Sequence, residues 1–154
     1  MKKIYPVILL LVIGLAAAAF AAEKSFKATL SGSEVVPPVT TMAKGEATFE
    51  LSKDGKKLSY EVKVSDIENV TASHIHMGKT GENGPPVAMI QIKGKHSGKF
   101  SGTLAKGTIT AKDLMTSLKG KTVGDLASEI ESGNTYVNVH TKKYPDEEIR
   151  GQIK

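Results

Sequence analysis

Residues 58–65 read Leu58-Ser59-Tyr60-Glu61-Val62-Lys63-Val64-Ser65. Apolar and polar side chains alternate without a break, and a period of two is the mark of a strand with one face buried and the other wet. A helix over the same residues would scatter these apolar groups around its circumference. The pattern therefore sets the fold class, and the rest of the chain extends it. Just upstream, Asp54-Gly55 forms a hairpin signal, and before it Ala47, Phe49 and Leu51 alternate in the same way. Near the start, Phe26, Ala28 and Leu30 alternate with Ser25, Lys27 and Thr29. Further strands are expected at about 71–77, 86–93, 98–104, 135–141 and 148–153, separated by Gly, Pro and Asn clusters. Many short strands with polar alternate faces predict a mainly β protein, an antiparallel β-sandwich or barrel with Greek-key-like connections. Two segments break the period. Thr110 and Thr122 each precede an Asp by three residues, a capping-box spacing, with Leu114 and Leu118, then Leu126 and Ile130, four apart. Two short helices are expected there.

The first residues, Met1-Lys2-Lys3 followed by an apolar run to Ala19-Phe20-Ala21, have the form of a secretory signal peptide over residues 1–21. One domain then occupies residues 22–154, exported to the periplasm or the extracellular space, with no stable transmembrane segment after cleavage. No Cys follows the run, which removes a lipoprotein anchor, and with no Cys at all the exported domain forms no disulfide. The 154 residues carry a formal charge of +5, but the Lys residues are dispersed and only 5% of residues are aromatic. Nucleic-acid binding wants clustered cations and stacking rings, so no nucleic-acid partner is expected.

The chemistry concentrates on histidine. Two of the four His residues stand in Ser73-His74-Ile75-His76-Met77-Gly78. On a strand, His74 and His76 share one face and Ile75 takes the other. In Thr135-Tyr136-Val137-Asn138-Val139-His140-Thr141 the valines take the apolar face, leaving Tyr136, Asn138 and His140 together. In the last strand Ile149 and Ile153 point inward, and Arg150 and Gln152 outward. The segment between these two strands is short enough for a hairpin, so Arg150 or Gln152 lies beside His140. Neutral imidazole is a common ligand for copper and zinc, and His-x-His on a strand lets two rings reach one ion. His74, His76 and His140 are thus candidate metal ligands, with Tyr136, Asn138, Arg150 and Gln152 as surrounding or ligand-binding groups. Three His ligands leave a position open, as in catalytic or exchangeable sites. The plain alternative is a pair of solvated imidazoles in a hydrogen-bond network. Met77 faces away from His76 by strict alternation, and His96 sits in a Gly/Lys-rich turn that reads as surface. Gly78, Gly81, Gly84 and Pro85 read as structural turn residues between strands.

These stretches together resemble a known family. Residues 73–90, Ser-His-Ile-His-Met-Gly-Lys-Thr-Gly-Glu-Asn-Gly-Pro-Pro-Val-Ala-Met-Ile, and the later Val-Asn-Val-His-Thr with Ile-Arg-Gly-Gln are similar to the CHRD domain, the module named from chordin and present in many exported bacterial proteins. The opening Glu34-Val35-Val36-Pro37-Pro38 and Gly45-Glu46-Ala47 fit the same resemblance, which covers about residues 25–153. The family's recurring polar positions fall on His74, His76, Gly78, Gly81, Gly84, Pro85, Asn138, His140, Arg150 and Gly151. One departure is visible: Glu147 stands where the family commonly has Gly, a change expected to act on the hairpin turn more than on the site. A looser similarity of pattern links the chain to the copper/zinc superoxide dismutase sandwich, which also sets His-x-His on a strand and an Arg near its metal. The loop after His76 lacks a bridging His and a zinc-binding His cluster, and the chain lacks the disulfide.

The expected function is an exported binding module whose outer face holds a metal ion or an unknown extracellular or envelope ligand. No activated nucleophile or acid pair is evident, which argues against an enzyme. The rival readings are a copper-dependent redox enzyme or copper carrier, and a structural envelope component.

Overall fold

A computed structural model describes residues 23–154. The expected signal peptide, residues 1–21, lies outside the described residues. Eight strands follow in chain order: β1 Lys24–Ser31, β2 Lys44–Leu51, β3 Leu58–Glu68, β4 Val70–Met77, β5 Pro86–Met89, β6 Lys99–Ile109, β7 Thr135–Thr141 and β8 Ile149–Gln152. They form one antiparallel sheet in the order β5-β4-β7-β8-β1-β2-β3-β6. An antiparallel bridge between Ile92 and Ala105 brings the two edges of this sheet together. The sheet therefore curls into a nearly closed barrel, and the alternating side chains of every strand divide between its interior and its outside.

The alternation that defines the fold class appears as burial. Leu58, Tyr60, Val62 and Val64 of β3 pack inside with Phe49 of β2, Leu30 of β1 and Ile75 of β4. β2 and β3 pair in unbroken register from Leu51↔Leu58 to Lys44↔Ser65, and the turn between them closes with Gly55 at φ +69°. Val137 and Val139 of β7, and Ile149 and Ile153 at the end of the chain, complete the core beside β4. Where β8 crosses β1, a Cβ on Gly151 would stand 2.2 Å from the carbonyl oxygen of Thr29. A glycine is required for that approach.

Only the second of the two expected helices forms. Thr122 caps α1, Val123–Glu131, accepting a hydrogen bond from the Asp125 amide, while Asp125 accepts from the Thr122 amide. Val123, Leu126, Ala127 and Ile130 bury one face of it. The segment after Thr110 has the same reciprocal cap with Asp113, yet it makes two isolated 3-10 turns, Ala111–Asp113 and Thr116–Leu118. Leu114 between them forms a bridge to Ala88 of β5, and that tertiary pairing overrides a continuous helix. Among the described residues no helix is long and apolar enough to cross a membrane.

Candidate metal centre

Three adjacent strands build the site. β7 lies between β4 and β8, with His74 opposite Asn138, His76 opposite Tyr136, and Asn138 opposite Arg150. Because Ile75, Val137, Val139 and Ile149 point into the barrel, all the residues between them share its outer face. His74, His76 and His140 meet there. One potential ligand atom from each lies within 4.8 Å of the others, and all three rings are half-buried.

Hydrogen bonds fix the orientation of two rings. His76 Nδ1 is 2.8 Å from the Gly84 carbonyl oxygen, and His140 Nδ1 is 2.9 Å from that of Pro145. A carbonyl only accepts, so both Nδ1 atoms carry the proton and both Nε2 atoms present a lone pair. His140 Nε2 meets His74 Nδ1 at 3.2 Å, whereas His76 Nε2 is buried without a partner. Burial pushes the His74 imidazole down to about 4, reinforced by its two His neighbours. Burial also lowers His76, opposed by its bond to Gly84. Both rings are therefore neutral at pH 7, the state that can coordinate a cation.

A second set of groups supports the first. The Tyr136 ring is stacked on His76, with centroids 5.0 Å apart and planes at 13°, and the Arg150 guanidinium carbon stands 3.7 Å from the centre of the same ring. Tyr136 is thus held between an imidazole and a guanidinium. Arg150, 2% exposed, also donates to Asn83 Oδ1 at 2.7 Å and to the Glu82 carbonyl, and lies 3.5 Å from Glu147 Oε2. Asn138 accepts from the His74 amide at 3.2 Å, and Gln152 donates to the carbonyls of Gly78 and Gly133.

Several expectations need correction. Tyr136, Asn138 and Arg150 do lie outside the barrel, but they are buried rather than wet, because three connections fold over that face: residues 32–43, 78–85 and 142–148. Arg150 is saturated with partners and is not poised to draw in an anion. Glu147 is buried against Arg150, so the departure from the family's Gly enters the site itself rather than only the turn. Met77 and His96 need no such correction: Met77 packs against the core, away from the His rings. His96 bonds through Nε2 to the Lys93 carbonyl and packs on Phe100, outside the three-His group.

Two glycines between β4 and β5 allow close approach. A Cβ on Gly84 would fall 1.6 Å from the Met77 carbonyl oxygen, and one on Gly78 would fall 2.9 Å from the Tyr136 ring. Gly81 turns at φ +83° at the exposed tip of the same loop. Pro85 accepts from the Met77 amide, which leaves the neighbouring Gly84 carbonyl aimed at His76. Sequence reasoning identified the three His, but not the carbonyls that orient them. Carbonyls belong to every residue, and only the loop path distinguishes these two.

Barrel and site together define an antiparallel β module with a histidine cluster on a loop-covered outer face. The CHRD domain family matches residues 26–153, and the chain belongs to that family. It is 29% identical to chordin of Xenopus laevis over 132 residues, covering 80% of this chain and 12% of chordin. The chain thus spans about an eighth of the length of that relative. No solved structure matches the chain significantly.

Proposed function

We propose that the protein is an exported CHRD-domain binding module, comprising residues 22–154 after removal of residues 1–21, that holds a copper or zinc ion on His74, His76 and His140. The observation that carries this reading is the convergence of three imidazoles, two of them with Nδ1–H committed to a backbone carbonyl and the Nε2 lone pair kept for the cluster. Metal-ligating histidines characteristically donate their other ring N–H in this way, which sets tautomer and orientation. Two nitrogens about 2.0–2.1 Å from one zinc at a tetrahedral angle stand about 3.3 Å apart. The 3.2 Å between His74 Nδ1 and His140 Nε2 fits that separation, and His76 offers a nitrogen within 4.8 Å of both. The donor set is all nitrogen, which suits zinc and copper better than calcium or magnesium.

Metal analysis of untagged protein, followed by copper and zinc titration of wild type and His140→Ala, tests the reading. One ion per chain in wild type and none in the variant is the expected result. Equal binding by the two proteins overturns it.

The rival reading, a copper redox enzyme or carrier, draws support from the open coordination position that three ligands leave. The saturated Arg150 weighs against the dismutase version of it. A copper-dependent redox activity abolished by His76→Ala favours that reading over simple binding.

A further inference from the structure

Beside the imidazoles lies a cleft of about 520 Å³, a volume typical of small-molecule sites. Val36, Pro37 and Val39, from the β1–β2 connection, give it an apolar wall, and Tyr144 lines it from the β7–β8 connection. These two connections are tied together, since the Tyr144 hydroxyl donates to the Thr40 carbonyl at 3.0 Å. His76, Tyr136 and Glu147 lie deeper.

Glu147 is the unexplained group. Its side chain is 8% exposed, Oε2 faces Arg150, and Oε1 is buried with no partner. A buried polar atom left without a hydrogen bond costs about 1–3 kcal/mol, so its presence in a cleft calls for a donor. The surroundings restrict that donor. A cationic ligand would meet the guanidinium of Arg150, and an anionic one would meet the carboxylate itself. A neutral donor, O–H or N–H, remains. The walls restrict the rest of the molecule, because Pro37 and Tyr144 offer ring faces among valines, surfaces that favour a flat aromatic body.

We propose that this cleft binds a small neutral phenol, whose hydroxyl donates to Glu147 Oε1 and whose ring packs on the wall formed by Val36, Pro37 and Val39. The site is separate in its requirements from the metal centre: the ion takes imidazole nitrogens, and the phenol takes a carboxylate oxygen.

The test is a titration of metal-free and zinc-treated protein with 4-methylphenol, and with toluene as the control lacking the hydroxyl, followed by amide chemical shifts. Saturable shifts centred on residues 35–39 and 144–147 are expected in metal-free protein, with toluene binding at least tenfold more weakly. Glu147→Gln should weaken 4-methylphenol about tenfold, and Val39→Trp, which fills the cleft, should abolish binding. His140→Ala should leave binding to the metal-free protein unchanged, which separates this proposal from the metal reading. Should Val39→Trp not fold, the comparison of the two ligands and Glu147→Gln still decides. The proposal is overturned if no saturable shift occurs, if toluene binds equally, or if binding needs zinc and ignores Glu147→Gln.

Discussion

The imidazole of His76 and the phenol ring of Tyr136 lie face to face, 13° from parallel with 5.0 Å between centroids, and directly opposite each other in the β4–β7 register. This pairing couples the candidate metal centre to the buried Arg150 on the far side of Tyr136. Tyr136→Phe keeps the stack and loses the hydroxyl contacts to Gly84, so a loss of about 1 kcal/mol is expected. Tyr136→Ala removes the spacer between imidazole and guanidinium. It should cost about 3–5 kcal/mol and weaken metal binding by about 10-fold or more. Urea denaturation and metal titration of the two variants measure both effects.

Acid should destabilise the metal-free protein through His74. The unfolded chain protonates this ring near its ordinary value of 6.5, but the folded protein does so only at about 4. Between those values the unfolded state binds more protons, so stability rises with pH. It is complete above about pH 6.5 and is lost as pH falls toward about 4. Because the ring is half-exposed, screening by water limits the effect to about 1–2 kcal/mol. His74→Gln should flatten this part of the stability–pH curve, measured by thermal melts from pH 7.5 to 4.5. Metal affinity should likewise be weaker near pH 5 than at pH 7.5, because a protonated imidazole cannot coordinate.

Gly84→Ala should be severe for an exposed loop. The new methyl would collide with the Met77 carbonyl, whose strand carries both histidines of the His-x-His pair. Moving the loop away also removes the acceptor for His76 Nδ1. A loss of about 3 kcal/mol is expected, together with weaker metal binding. If the variant binds copper and zinc as wild type does, the Gly84 carbonyl has no part in orienting His76.

Removing Arg150 should be worse than removing Arg150 and Glu147 together. Arg150→Met leaves a carboxylate buried without its cation, which should cost about 3–5 kcal/mol. Adding Glu147→Leu removes the orphaned charge and should recover part of that loss. Chemical denaturation of the single and double variants measures the coupling.

The proposed export predicts a further outcome. N-terminal sequencing of the protein recovered from outside the cytoplasm should begin at Ala22. Recovery of the intact apolar leader on the exported protein would contradict cleavage after Ala21.

The strands were legible because each buries one face, and burial imposes a period of two on Leu58 through Val64 and on Tyr136 through His140 alike. The same period placed the three histidines on one side of the sheet. Two features were not legible. The segment after Thr110 carries a complete cap and a helical spacing of leucines, but its fate depends on Leu114 reaching Ala88, a contact made across the fold. Burial of the outer face was hidden for a similar reason. Tyr136, Asn138 and Arg150 have the polar character of a wet surface, and only the paths of three loops cover them. Glu147 shows the combined effect: read along the chain it is a turn residue, and in space it is the partner of Arg150.

The strand ladders are uneven around the barrel. β1 meets β8 at Ser31↔Arg150 and through the Lys27–Lys154 backbone bonds, while β5 and β6 meet through the Ile92 bridge and the bond from Lys93 to Leu104. These two thin seams part the molecule into four-stranded leaves, β5-β4-β7-β8 and β1-β2-β3-β6. All three imidazoles and Arg150 ride on the first leaf, whereas Val36 and Val39 follow from the second. The mouth of the cleft spans the two leaves and is laced by the bonds from Tyr144 to Thr40 and from Asn83 to Val36. Imidazole spacing is thus set within one leaf, whereas the walls of the cleft need both.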